Sequence, residues 1–328
     1  MWGFPLLILI SIFSSANAAG FKSKYYDEKL CGRLTTYKSF TLTDANNNTG
    51  NPTHLAPWAV VITLKNDGQE HGSICGGTLV TNKHVITAAH CFQKPQQKAK
   101  GEKKGIKSKY CKKTDRFSDK EIIERTTIRI GAMCQRKDAD FGCIHPPQFG
   151  KDLKIKRLSV GSFFEGNCEN GNDIVIIELS DVITNIEVAN HACLPFDNNQ
   201  YKPTTNVTSF GWGSDPGKAF DDKPFPMLQL LDLESLSTSD CNDYWGIDLP
   251  TDTFCTKEES DKNVCSGDSG GGLTYQPTNS TRNYLLAVVS YGSDCSKLLT
   301  GSTQPKAQLN TDIRKHAKFI QQFIINSK

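Results

Sequence analysis

No stretch of the 328 residues is apolar for long enough to cross a bilayer. The longest apolar run, residues 2–13, ends at Ser14-Ser15-Ala16-Asn17-Ala18, where Ala16 and Ala18 suit signal-peptidase cleavage. It lacks a basic segment before it apart from the amino terminus, but its length and small-residue end predict a leader over residues 1–18. The mature chain is therefore expected to be secreted, with no membrane partner. Cys-x-x-Cys pairs are also missing and the seven histidines are scattered, which argues against a zinc framework and leaves no metal to expect. No repeat recurs at a fixed period, and low complexity is confined to one basic insert.

What the chain does contain points to an oxidising compartment. It has twelve cysteines, and sequons at Asn47, Asn206 and Asn279 become plausible glycan sites once secretion is accepted. The length allows one domain of about 250 residues plus extensions. A hydrophobic fraction of 37% with regular turn residues suits a β-rich globular protein. Residues 19–56 are polar and turn-rich and read as a pro-segment or linker, with the globular part, 57–328, beginning near Pro57. Trp58-Ala59-Val60-Val61-Ile62-Thr63-Leu64, Ile74-Cys75-Gly76-Gly77-Thr78-Leu79-Val80 and Val85-Ile86-Thr87 have the β-branched enrichment of strands. From Thr311 the period turns helical, with Ile313, Ala317, Ile320 and Ile324 on one face and Thr311 or Asp312 available as a cap.

The chemistry concentrates in Cys265-Ser266-Gly267-Asp268-Ser269-Gly270-Gly271-Gly272. A serine between glycines can expose its hydroxyl on a tight turn, and successive amides from Gly267 to Ser269 can converge on a developing oxyanion. A serine hydroxyl needs a neutral imidazole to take its proton, and the imidazole needs a carboxylate to fix its tautomer. Thr87-Ala88-Ala89-His90-Cys91 and Asn172-Asp173-Ile174-Val175-Ile176-Ile177-Glu178-Leu179 supply such candidates. The order His90, Asp173, Ser269 and these three strings resemble the chymotrypsin-like serine proteases.

The resemblance implies an all-β fold of two antiparallel six-stranded barrels with a C-terminal helix, over residues 57–180 and 200–310. It implies a serine endopeptidase with a polypeptide substrate and no cofactor. Ser269 would be nucleophile, His90 base and Asp173 its orienting carboxylate, with the Gly267 and Ser269 amides binding the oxyanion. The alternative is a catalytically silent homologue that serves as a secreted binding or regulatory module. Ser290-Tyr291-Gly292 resembles the edge that pairs with substrate backbone. The resemblance places Asn263 at the base of the primary pocket, where trypsin-like members have an aspartate, and Gln308 on the opposite wall where glycine is common, with Pro305-Lys306 as the other way to align that strand. Together they imply poor cleavage after Lys or Arg and preference for small or polar residues. The resemblance also implies disulfides Cys75–Cys91, Cys241–Cys255 and Cys265–Cys295, and a pro-segment tether between Cys31 and Cys193. A further bridge common in that family is expected to be missing, because Val207 and Tyr275 stand where its two halves would fall. Cys111, Cys134, Cys143 and Cys168 pair among themselves in one of three ways.

Two features depart from the family. Activation there inserts a new terminus that pairs with the aspartate before the nucleophile, here Asp268. The corresponding Ala45-Asn46-Asn47-Asn48 has neither a basic residue before it nor an apolar pair, and Arg33-Leu34 is the nearest alternative for an activating protease. The other departure is a long connection between His90 and Asp173, with a basic insert at about 94–125. Residues 94–116 carry ten Lys and Arg against Glu102 and Asp115. The insert reads either as a solvated loop or as a docking surface for a polyanion or acidic protein. Tyr110 is the only aromatic residue within 94–116, so base stacking on nucleic acid is not expected.

Overall fold

The computed structural model describes residues 23–34, 56–66, 72–95, 111–140, 142–165, 168–185, 189–195, 206–217 and 226–327. The leader, the Asn47 sequon and insert positions 96–110 lie outside these residues. Seven strands form the first sheet: β1 (Ala59–Leu64), β2 (Ser73–Leu79), β3 (His84–Thr87), β4 (Thr126–Ile130), β5 (Lys151–Leu153), β6 (Ile155–Val160) and β7 (Val175–Leu179). Their order is β5-β4-β1-β2-β3-β7-β6. β5 and β6 sit at opposite edges yet only Lys154 separates them. Leu153 pairs with Ile128 of β4 while Ile155 pairs with Leu179 of β7. The two edges are thus one bent strand, and six strands curl round to meet through the backbone at Lys154.

The second unit is a closed barrel of six strands: β8 (Asn206–Gly211), β9 (Gln229–Leu236), β10 (Thr253–Lys257), β11 (Gly272–Tyr275), β12 (Tyr284–Tyr291) and β13 (Ala307–Asp312). The chymotrypsin-like two-barrel architecture is therefore present. Alternating apolar positions such as Val207, Leu233, Phe254, Leu273 and Ala287 fill the second barrel. The missing bridge is replaced by packing, since Val207 and Tyr275 are both in that core.

Among the described residues, four α-helices decorate the barrels: α1 (Asp119–Arg125), α2 (Thr238–Trp245), α3 (Cys295–Leu299) and α4 (Ala317–Ile325). α1 closes the basic insert with a capping box in which Ser118 and Glu121 satisfy each other's amides. The C-terminal helix starts later than the period suggests, because Ile313–His316 forms a 3-10 turn capped by Asp312. Ile313, Ile320 and Ile324 nevertheless bury against the first barrel, joined by Phe323.

All six disulfides form as Cys31–Cys193, Cys75–Cys91, Cys111–Cys168, Cys134–Cys143, Cys241–Cys255 and Cys265–Cys295. Residues 23–34 dock firmly beside the first of these. Gly32 N donates to His191 O at 2.7 Å, Asn283 N donates to Gly32 O at 2.9 Å, and Asn190 Nδ2 donates to the carbonyls of Leu30 and Arg33.

Candidate active site

His90 lies in a 3-10 turn, Ala89–Phe92, that follows β3 and is pinned to β2 by Cys75–Cys91. Asp173 lies just before β7, which pairs with β3 as Thr87 opposite Val175. Neighbouring strands therefore bring together two residues 83 positions apart. His90 Nδ1 donates to Asp173 Oδ2 at 2.7 Å and the His90 amide donates to Oδ1 at 2.9 Å. A carboxylate only accepts, so the imidazole proton sits on Nδ1 and Nε2 carries the lone pair.

Asp173 is 3% exposed and His90 25% exposed at the side chain, so the base reaches solvent while its partner does not. Burial opposes the charge on His90, but the Asp173 carboxylate and its hydrogen bond win and raise the imidazole above its ordinary value. Burial likewise opposes the charge on Asp173, yet His90 and the hydrogen bonds from His90 and Ser290 hold it below the usual carboxylate range.

The Ser269 turn comes from the second barrel, between the Cys265–Cys295 bridge and β11, and closes against the first. Gly76 N donates to Ser269 O at 2.7 Å, and a Cβ on Gly270 would strike Thr87 Oγ1 at 2.2 Å. Gly267 takes φ +103°, a conformation that a side chain would strain. The amides of Asp268, Gly270 and Gly271 donate to Cys265 O, Val289 O and Asp268 O. Those of Gly267 and Ser269 have no acceptor among the described residues, as an oxyanion site requires.

Asp268 faces away, into a cavity of about 190 Å³ lined in part by Phe210, Ser214, Leu230 and Val264. Its Oδ1 accepts from Gly213 N at 2.7 Å and its Oδ2 from Cys265 N at 2.9 Å. These contacts explain Gly211-Trp212-Gly213: a Cβ on either glycine would come within 2.2 Å of an Asp268 carboxylate oxygen. No cation pairs with Asp268 among the described residues. Burial raises its carboxyl to about 6, against the lowering effect of the Cys265 and Gly213 amides.

The residues singled out for substrate binding divide. Tyr291, 41% exposed, packs its ring on Trp245 at 5.7 Å between centroids and pairs with Leu309 of β13 after a register shift that follows Val289. Ser290 has an additional use that the sequence did not signal: its Oγ donates to Asp173 Oδ2 at 2.6 Å. Gln308 is buried and lies flat against Gly292, where a Cβ would meet its Nε2 at 2.3 Å, and that amide donates to Val264 O at 2.9 Å. Asn263 directs its side chain to the backbone of Glu259, accepting from its amide at 2.9 Å and donating to its carbonyl. Of the sequons, Asn206 opens β8 and Asn279 lies in the turn before β12, both exposed. At the insert, Cys111–Cys168 ties the basic segment to the loop leading into Asp173. Arg116 is occupied by Asp119 at 2.8 Å.

Residues 46–123 and 146–311 match the family model described as Trypsin. Fold, triad order and this match agree: the chain belongs to the trypsin family of serine endopeptidases. It is 54% identical to trypsin-like protease try-5 of Caenorhabditis elegans over 93% of this chain and 94% of that protein. It is also 24% identical to a venom serine protease of Polistes dominula, over 69% of each chain. Phenoloxidase-activating factor 1 of Holotrichia diomphalia matches at 24% over 73% of this chain and 60% of that protein. Among the described residues, no helix is long and apolar enough to cross a membrane.

Proposed function

We propose that this is a secreted serine endopeptidase made as a precursor, with a leader over 1–18, a pro-segment over 19–56 and a protease domain over 57–328. The observation that carries the catalytic assignment is the carboxylate of Asp173, held by three donors and aligned on His90 Nδ1 at 2.7 Å. Ser269 Oγ attacks the scissile carbonyl as His90 Nε2 takes its proton, and the same nitrogen returns that proton to the leaving amine. The Gly267 and Ser269 amides stabilise the oxyanion, each worth about 2.7–4 kcal/mol of barrier in such sites. An extended peptide adds to the 290–292 edge, and Gln308 limits the primary pocket to small or polar side chains. The polypeptide is cut by an activating protease between Cys31 and Pro57, and Cys31–Cys193 retains the docked segment afterwards.

The competing reading is a catalytically silent homologue, favoured by the absence of a basic residue and an apolar pair at residues 45–48. A fluorophosphonate probe separates the two. Labelling of Ser269 in purified protein, appearing or increasing after limited proteolysis and absent in Ser269→Ala, is expected. Lack of labelling in every cleaved form would leave the silent homologue.

The basic insert is proposed to engage a polyanion or an acidic protein segment, supported by its charge and by its tether beside the Asp173 loop. The protein is expected to bind a sulfated-polysaccharide column and elute with rising salt. Substituting Lys103, Lys104, Lys112 and Lys113 by Gln together is expected to abolish retention; equal retention of both proteins would make the insert a solvated loop.

A further inference from the structure

Asp173 follows an uncommon piece of backbone. Gly171 and Asn172 both take positive φ, +75° and +63°, and Asn172 is the sole non-glycine residue in that region among the described residues. Asparagine tolerates the left-handed region better than most side chains, yet two such residues in succession need something to hold them. Asn172 Nδ2 reaches only back to Asn170 O, at 3.1 Å. The principal restraint comes from the other barrel. Asp252, one residue before β10, is buried, and its Oδ2 accepts the Asn172 amide at 2.7 Å. Its carboxylate rests directly on Gly171, where a Cβ would approach Oδ1 to 1.9 Å.

The carboxylate is itself braced. His316 Nε2 donates to Asp252 Oδ2 at 2.9 Å from the 3-10 turn after β13, and both side chains are 10% exposed. The Asp312 amide donates to Asp252 O at 2.7 Å, and Asp312 is occupied by Arg314. On the far side of the catalytic residue, Thr311 Oγ1 donates to Asp173 O at 3.1 Å. Thr311 pairs with Thr253 in the β10–β13 ladder. One end of that ladder therefore grips the backbone on both sides of Asp173, before it through Asp252 and after it through Thr311.

We propose that Asp252, braced by His316, is a positioning residue for the general-base pair: by capturing the Asn172 amide it sets the backbone from which Asp173 aims at His90. This rests on the catalytic reading above. A shift of the Asp173 carboxylate of order one ångström weakens the hydrogen bond to Nδ1 and misplaces the imidazole, and such errors cost on the order of 10–100-fold in rate. Substrate contacts are untouched, so the loss belongs in kcat rather than KM. A carboxylate further from His90 also stabilises the imidazolium less, which moves the acid limb of activity to lower pH.

The test compares full-length wild type with Asp252→Ala, Asp252→Asn and His316→Phe, each activated by limited proteolysis. Turnover of the best peptide from a positional library is normalised to active sites titrated with fluorophosphonate. The low-field proton resonance of His90 Nδ1–H and the His90 titration are recorded on the same proteins. Asp252→Ala is expected to lose about 10–100-fold in kcat with KM nearly unchanged. Its acid limb should fall to lower pH and its His90 resonance should move upfield. Asp252→Asn keeps an oxygen for the Asn172 amide and is expected to stay close to wild type in both readouts. Where Asp252→Ala does not accumulate as folded protein, His316→Phe replaces it, with the same direction and smaller size. A lower melting temperature with an unmoved acid limb and resonance would reduce Asp252 to a structural clamp and overturn the proposal. Absence of turnover in activated wild type would overturn the catalytic reading instead, while the His90 resonance still decides the positioning role.

Discussion

On the proposed reading, Gln308 sets the bore of the primary pocket. Its amide spans from the Gly292 wall to the Val264 carbonyl, and its Oε1 is buried without a hydrogen-bond partner among the described residues. Replacing it with glycine removes both the obstruction and a buried polar atom, at about 0.5–1 kcal/mol of backbone cost in the strand. Gln308→Gly is expected to gain at least about tenfold in kcat/KM for peptides with a large apolar residue at the cleavage position, consistent with 1–3 kcal/mol per methylene accommodated. A positional-scanning library run on both proteins measures this; an unchanged profile would move specificity elsewhere. At this scale the sequence spoke through local strings. His90, Asp173 and Ser269 were legible because each sits in a short motif whose residues serve that one site. Ser290 and Thr311 reach Asp173 from 117 and 138 positions away and Asp252 reaches the neighbouring Asn172 amide from 80, and nothing local marks any of them for that use. Their roles come from barrel-to-barrel contact, which a linear pattern does not encode.

Among the elements, β7 carries a charge in the middle of an apolar run. Glu178 has no exposed surface, and Lys83, Lys156 and Arg157 surround it at 3.0, 2.9 and 2.5 Å. Strand register makes the cluster, since Glu178 lies opposite His84 of β3 and Arg157 of β6. Arg157 also donates to Phe323 O and Ser327 Oγ, so the cluster fastens the end of the C-terminal helix to the first barrel. Burial would raise the Glu178 carboxyl, but hydrogen bonds from Lys156, Arg157 and Lys83 hold it down to about 2. A lowered carboxyl contributes stability that is complete above its unfolded value near 4.5 and disappears as pH falls toward 2. Glu178→Gln leaves three cations without a counter-charge and is expected to cost about 3 kcal/mol at pH 7. That is the lower end for a broken buried pair, because Lys156 and Arg157 keep solvent contact. Urea denaturation of both proteins from pH 7 to pH 2 checks size and sign: the gap should narrow below about pH 4.5. The apolar pattern gave the strand but not this cluster, because the period of two marks faces and cannot name cross-strand partners. The bend at Lys154 was hidden for a similar reason, being a matter of which neighbours each half pairs with.

The whole molecule is organised around the junction of its barrels, and the activation proposed for it would act at that junction. Four of the six disulfides followed from family positions, whereas Cys111–Cys168 and Cys134–Cys143 had to wait for the fold because spacing does not rank three pairings. The carboxylate of Asp268 lies at the junction with two amides and no cation among the described residues, so burial penalises its charged form. A carboxyl raised to about 6 from 3.8 favours the folded state fully below about pH 4, and that advantage is lost as pH rises through 6. The difference is roughly 3 kcal/mol at neutral pH. An ammonium supplied by a terminus cut between Cys31 and Pro57 would return that energy as a salt bridge beneath the oxyanion site. Ordering a long linker opposes insertion, although the cost grows only with the logarithm of its length. Arg33 is poorly placed for such a cut, since its carbonyl is held by Asn190 at 3.0 Å. Asp268→Asn removes the charge and keeps the outline, but its NH2 replaces one of the two oxygens that accept from the Gly213 and Cys265 amides. The stability difference between the two uncleaved proteins is therefore expected to move in favour of the variant by roughly 3 kcal/mol as pH rises from about 4 to above 6, on top of a pH-independent cost of the lost hydrogen bond. Cleavage should raise turnover and melting temperature in wild type and raise neither in the variant. Thermal melts across pH 4–8, with peptide turnover before and after limited proteolysis, measure both effects on the same samples. Full turnover by the uncleaved wild type, or an equal gain in Asp268→Asn, would mean that the oxyanion site is set without an inserted terminus.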